Sequence, residues 1–450
     1  MPIPRPNRAV LVNFTGFLCT IASPFWVYFL LFPKGFAYAN GIVVFFVVII
    51  LNLALIMHVS RNDAELRKIM TVGFFFKLLA AAGYLTFTLM SHGGADYIFY
   101  FNQGSNISQS LINTGELGRV YGMSSHEALS GTSLVHIITG MMFVVTGPSL
   151  SGGIIVFSSV AFWGVYLMWK AFATAFPSGD TKTAAALLFF LPSISFWSAT
   201  IGKDALLSLT IGLTAYGLAR LLYGGRFSGF AYMSAGVLAT AAVRPHIGAV
   251  LAISLAVIYL LGKNRAGLPG VLARIVGIPL IIFGTYYVFS QARERLGLQD
   301  AEHAQTYVTN SSEGTAYGGS SFQGGSLAVR TLLAPAVPFR PFPWEISNVQ
   351  TLIASVEGML LLLLFWINRR SLMYSVSHWR SHPFIGFILF YSLETAVALS
   401  CAFSNFGLLA RQRVMFTPLL LMLVAAFPAS RSAARTSRMP VLQYGRISSP

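Results

Sequence analysis

The chain has 450 residues, 55% of them hydrophobic and only 10% charged, with a mean hydropathy of +0.68. Soluble domains carry about 25% charged residues, which excludes a soluble enzyme, a soluble DNA-binding domain and a single-span receptor, and leads to an all-α, polytopic integral membrane protein. The formal charge of +16 takes its meaning from where the basic residues fall, because lysine and arginine near helix ends mark the cytoplasmic side of a membrane.

A spanning helix needs about 20 mostly apolar residues. Such runs lie at 10–32, 39–59, 69–90, 153–172, 183–200, 205–222, 229–243, 247–262, 273–290, 350–368, 383–403 and 412–430, which predicts twelve spans. The first is longer than a signal-peptide core and reads as an uncleaved helix. A thirteenth run, 134–147, is short and interrupted by Gly140 and by Gly147-Pro148. Arg5, Arg8 and the segment from Arg61 to Lys68 place the N-terminus inside, and Arg431, Arg435, Arg438 and Arg446 place the C-terminal tail inside. The two counts meet only if 134–147 enters and leaves by the same face, as a re-entrant or interfacial segment whose backbone other protein covers. Inner segments then carry 19 Lys/Arg against 3 Asp/Glu, and outer segments 10 against 9. The basic excess is therefore an orientation signal, and no nucleic-acid partner is expected. Residues 1–430 form one transmembrane domain with outer loops at 91–131 and 291–349, and 431–450 a basic cytoplasmic tail.

Loops this long tend to be functional or disordered. In the first, Asp96 stands just beyond the third span with Tyr97 and Tyr100 beside it. An acid followed by aromatics suits removal of a proton from a sugar hydroxyl while a ring stacks on the sugar; the alternative is an Asp96 N-cap on an interfacial helix. Pro192 should break its helix, and Lys203-Asp204 follows at the outer mouth. Lys203 can hold a phosphate as a point charge, or the pair can be a solvated turn with Asp204 capping the next helix.

Arg244-Pro-His246 divides two short apolar helices and so dips toward the outer leaflet. Arginine at that depth faces a cavity or a partner, unless it snorkels to the headgroups. In the second outer loop, Arg340, Trp344 and Glu345 combine a phosphate fork, a stacking face and an acid; an interfacial aromatic anchor with its own ion pair is the other reading. Glu357 and Glu394 lie within spans, where an acid expects a partner such as Arg244 or Arg411. Arg411 and Arg413 violate the inside bias in a short outer loop, an exception that a bound phosphate explains. The outer face thus combines cations and acids in a way that fits an anionic, lipid-tethered substrate and general acid/base chemistry.

There is no P-loop, no GxGxxG after a strand, no HExxH, no GxSxG and no Cys/His set. Cys19 and Cys401 give neither a disulfide framework nor a metal spacing. No cofactor is expected, and no paired-acid motif supports a divalent metal.

Gly94-Ala-Asp96 with Tyr100, Pro192 with Phe196-Trp-Ser198 and Lys203-Asp204, and Ala410-Arg-Gln-Arg413 together give a pattern spread over about 70–420. This pattern resembles the polytopic envelope-polysaccharide proteins of the GT-C glycosyltransferase superfamily and its relatives among bacterial exopolysaccharide and O-antigen polymerases. The resemblance implies a GT-C-like fold and a polyprenyl-phosphate sugar donor handled on the outer side. It also implies Asp96 as catalytic base or metal-proximal group and basic residues holding the lipid phosphate. Many GT-C enzymes carry paired acids after the first helix, whereas here a lone Asp96 follows the third. The expected function is glycosyl transfer or polymerisation in a bacterial inner or plasma membrane, with a lipid-linked sugar donor, a glycan acceptor and membrane lipid as partners. Asp96 is the expected base and Arg244 and Arg411 the phosphate clamp. Tyr100 and Trp344 are the expected sugar platforms, with Lys203, Asp204, His246, Arg340 and Arg413 around the substrate. A transporter or flippase of a lipid-linked glycan and a non-catalytic assembly subunit are the rivals.

Overall fold

The computed structural model describes residues 38–92, 95–115, 131–225, 227–261, 310, 313–315, 319–322 and 326–427. The runs expected at 10–32 and 273–290 and the tail 431–450 lie outside the described residues. Largely apolar sequence gives α1 (Tyr38–Val59) and α2 (Ala64–His92), the latter with a charged first turn and Lys77 within it, joined by a tight turn at Ser60–Asp63. The next helices are α3 (Asp96–Thr114), α4 (Gly131–Thr146), α5 (Leu150–Ala175), α6 (Thr181–Phe190), α7 (Pro192–Trp197), α8 (Lys203–Tyr223), α9 (Ser228–Val243) and α10 (Pro245–Leu261). The C-terminal part holds α11 (Leu327–Leu333), α12 (Val349–Ile367), α13 (Arg369–Ser377), α14 (Pro383–Ala402), α15 (Phe406–Gln412) and α16 (Thr417–Ala426). Among the described residues there is no strand, and β pairing is limited to one bridge between Ser321 and Asn405.

Among the described residues six helices are long and apolar enough to cross a membrane: Asn40–Val59, Ala64–Met90, Leu150–Ala175, Lys203–Tyr223, Val349–Ile367 and Pro383–Ala402. A bent pair, Phe406–Met415 with Thr417–Ala426 at 55°, makes a seventh if it is one span. The protein is therefore an all-helical, membrane-embedded protein. α1 and α12 expose Phe46, Ile50, Leu360 and Leu363 on their outer faces, an apolar surface that suits hydrocarbon rather than water.

Inside the bundle, lipid offers no hydrophobic drive, so helices associate through close packing of small residues. The crossing of α5 and α8 is one example. A Cβ on Gly164 would run into the backbone of Ser208, and one on Gly212 into the carbonyl of Gly164. α9 lies against the other side of α8, and hydroxyls buried at that contact pair with one another, Thr240 donating to Thr210 over 2.8 Å.

Three expected runs take a different form. The run 183–200 is not one helix: Pro192 cannot donate a backbone hydrogen bond and its ring clashes with the preceding turn, so α6 ends at Phe190 and α7 restarts at Pro192. Pro418 similarly separates α16 from the segment carrying Arg411 and Arg413. The run 134–147 is α4, which Gly147 ends with φ +73° before Ser149 caps α5 by accepting from Gly152 N–H. α4 packs along α3, Gly104 against Thr139 and Gly140 against Ile107. His136 near its start touches Tyr100, and Phe143 near its end touches Phe101. Gly147 just beyond it meets Asn40 at the start of α1. At 16 residues α4 is one of the shorter apolar helices and is not among those long enough to cross.

The two ends of α2 carry different chemistry. At its start Glu65 pairs with Lys182, both assigned to the inner side by the charge pattern. Beyond its other end stands Asp96.

Candidate functional site

Four side chains expected on the outer face form one hydrogen-bonded chain. Arg411 Nη1 lies 3.1 Å from Asp96 Oδ2, and Arg411 Nε donates to Asp204 Oδ2 over 2.6 Å. Arg244 Nη2 donates to the other oxygen of Asp204 at 3.0 Å, and its Nη1 to the side-chain carbonyl of Gln412.

Local sequence places each member. Asp96 and Asp204 stand in the first turns of α3 and α8, where the helix dipole favours negative charge. Neither is a cap: the N-cap residues are Ala95 and Gly202, and neither helix start has a side-chain cap hydrogen bond. The expected capping roles are replaced by pairing with arginine. Arg244 joins α9 to α10 with φ −142° and ψ 97°, the extended form that a following proline imposes. Arg411 lies in the last turn of α15, where the dipole favours a cation. Asn405 fixes the start of that short helix by accepting from the N–H groups of Gly407 and Leu408.

Burial ranks the members. The Asp204 side chain is 5% exposed, Arg244 13%, Arg411 20% and Asp96 64%. A carboxylate this deep is tolerated only with its lone pairs satisfied, and Asp204 has an arginine on each oxygen. Asp96 is the solvent-side member. Lys203 is half-buried beside them and makes no hydrogen bond or ion pair among the described residues. It lies in electrostatic range of Asp96, Asp204, Arg244 and Arg411. Among the described residues, three cations thus meet two carboxylates here.

Aromatic and imidazole groups wall the cluster. Tyr100 is buried near Gly202. Burial, with the Asp96 charge adding to it, pushes its hydroxyl up to about 12, so it stays a protonated donor at neutral pH. His136 is buried with its ring centroid 5.3 Å from that of Tyr100. His246 is exposed, in range of Arg244 and Lys203.

Other expected site residues do not join. Arg340 is held by Glu345, Nη2 to Oε1 at 2.6 Å, and its guanidinium lies over the rings of Phe322 and Phe406 at 4.8 and 4.9 Å. Phe406 opens α15, and Arg411 stands near its end, about 7.5 Å of helix rise further on. Trp344 is 78% exposed and stacks on Phe342. This is the aromatic anchor with its own ion pair, the second of the two readings of that loop. Arg413 is 1% exposed, 3.5 Å from Glu357, and donates to the carbonyls of Pro338, Arg340 and Ala354. It is a buried structural cation facing away from the cluster. Glu357 therefore takes Arg413 rather than Arg244 or Arg411, and Glu394 takes Ser254, which donates over 2.7 Å.

Three members of the site carried no charge signal in the sequence. Gln412 and His136 were in view only as parts of motifs. Tyr84, in electrostatic range of Arg411, Asp204 and Asp96, was hidden in an apolar run. Among the described residues no group of three or more His, Cys, Asp or Glu is placed to hold a metal ion. Comparison with family models, with curated proteins and with solved structures gives no match.

Proposed function

We propose that the protein is a polytopic membrane glycosyltransferase or polysaccharide polymerase, GT-C-like and with twelve spans. In this reading it draws on a polyprenyl-(pyro)phosphate-linked sugar at the outer face of a cell membrane, to extend an envelope or extracellular glycan. The observation that carries the reading is the convergence of Asp96, Arg411, Asp204 and Arg244, from four separate parts of the chain, beside an ammonium group that has no direct partner among the described residues.

The chemistry needs a base for the acceptor hydroxyl and cations for the leaving phosphate. Asp96, the exposed acid, takes the hydroxyl proton as the acceptor oxygen attacks the anomeric carbon. The bond from that carbon to the phosphate oxygen breaks with its electron pair, and Arg411 and Lys203 meet the charge that develops. Asp204 and Arg244 hold Arg411 in position, and Tyr100 offers a hydroxyl donor and a ring. Trp344 and Arg340 belong to a neighbouring aromatic anchor, and Arg413 supports the fold.

The test is reconstitution in proteoliposomes with a labelled polyprenyl-linked sugar and an acceptor glycan. Transfer of label to acceptor without net movement of lipid-linked sugar across the bilayer is the expected result. Translocation without transfer overturns it in favour of a flippase.

A further inference from the structure

We propose that Asp96 occupies, in the ligand-free protein, the edge of Arg411 that a phosphate of the ligand takes over, so that the Asp96–Arg411 pair and phosphate binding exclude each other. The inference rests on the reading of the cluster as a phosphate site and adds to it a switch: the base is released from its cation only when the phosphate is seated.

The two arms of Arg411 are unequal. Its Nε arm ends on Asp204, which is 5% exposed and held from the other side by Arg244. Removing a partner from a buried ion pair is strongly unfavourable, so this arm stays in place. Its Nη1 arm ends on Asp96, which is 64% exposed. Exposed pairs contribute little net stability and exchange readily. Incoming anions can therefore displace Asp96 and leave Asp204 untouched.

Geometry favours phosphate as the displacing group. A planar guanidinium presents a donor fork matched to carboxylate and phosphate alike, so one can stand in for the other. Lys203, next in sequence to Asp204 and in electrostatic range of Arg411, supplies a second cation that has no direct partner among the described residues. An oxyanion on Arg411 and Lys203 would satisfy the charge that the protein leaves unmatched. Asp96 is free to swing while its backbone stays put, because Tyr97, the next residue, is buried and its hydroxyl accepts from Thr88 at 3.3 Å.

The experiment is titration of the purified, detergent-solubilised full chain with inorganic pyrophosphate, and separately with a short-chain polyprenyl phosphate, in wild type, D96N, R411Q and the double variant. Exclusion predicts that D96N binds at least about threefold tighter than wild type, the factor expected when the competent state is populated a third of the time or less. The gain should vanish in the R411Q background, since competition acts through that one side chain. R411K, which keeps a cation on Asp204 but cannot bridge two acids, gives the same comparison if R411Q is lost from the membrane. A gain with the polyprenyl compound identifies a lipid headgroup as the ligand, and a gain with pyrophosphate alone a free phosphate. Equal binding by wild type and D96N overturns the exclusion while leaving the phosphate site standing. A gain that persists unchanged in R411Q also overturns it, because removal of a charge at long range then suffices. Binding by none of the variants overturns both the exclusion and the phosphate site.

Discussion

Arg411 Nε lies 2.6 Å from Asp204 Oδ2, tying α15 to the start of α8 across 207 positions of chain. With Arg244 on the other oxygen of Asp204, the break between α9 and α10 is drawn into the same knot. A buried carboxylate is thereby the hinge pin of three helix termini, and a second, exposed carboxylate hangs from its edge.

Replacing Asp204 by Asn should be severe. Arg244 would remain buried without its anion and Arg411 with only the exposed Asp96, at a cost of about 3–5 kcal/mol. Asp96→Ala removes only a largely exposed pair and should change stability by less than about 1 kcal/mol. Thermal unfolding of the two variants in the same detergent checks the contrast; equal effects would show that burial does not rank the two acids.

Arg413 and Glu357 should behave as a unit. Arg413→Met alone strands Glu357, Glu357→Leu alone strands Arg413, and each should lower the amount of protein in the membrane. The double variant removes both charges together and should recover much of the loss, since the interaction is pairwise. Quantitative blotting of membrane fractions measures it. Additive losses in the double variant would contradict a structural pair.

How much of this was legible in sequence depended on the kind of signal. Asp96, Lys203, Asp204, Arg244 and Arg411 stood out because charge in apolar surroundings is costly and so conspicuous, and they do share one end of the bundle. Arg413 carried the same signal for a different reason. Two residues beyond Arg411 in sequence, it points into the fold toward Glu357, and periodicity without a known helix boundary cannot separate the two directions. For Arg340 and Glu345 the sequence held both an ion pair of their own and a substrate site open, and only the folded loop shows that they pair with each other. Gln412, the last residue of α15, was in view only as the middle of Arg411-Gln-Arg413, because an uncharged amide between two arginines has no signature of its own. The turn at Pro192 was readable, but the packing of Gly164 on Ser208 was not, because sequence shows small residues without showing what they touch.

That packing gives a prediction of its own. Gly164→Val would drive a side chain into the Ser208 backbone of α8, where no flexible group can yield, and should deplete folded protein from the membrane. Gly83→Ala in α2 meets nothing within 4 Å and should be tolerated. Fluorescence-detected size exclusion of tagged variants compares them; a stable Gly164→Val would contradict the close approach of α5 and α8.

Orientation is open to direct labelling. With Cys19 and Cys401 replaced, a cysteine at Asp96 should react with an impermeant maleimide on intact cells, since that position is 64% exposed. A cysteine at Lys182, 57% exposed, should react only after permeabilisation. Reaction of both on intact cells would contradict the assignment of the two ends of α2 to opposite sides.

The measurement that tests the central claim most directly is the rate of label transfer from a polyprenyl-linked sugar to acceptor glycan by Asp96→Asn in proteoliposomes, at matched protein levels. A base that takes the acceptor proton contributes about 100- to 10,000-fold, so the account predicts a loss of at least about 100-fold with folded protein and pyrophosphate binding retained. A rate equal to that of wild type would contradict it.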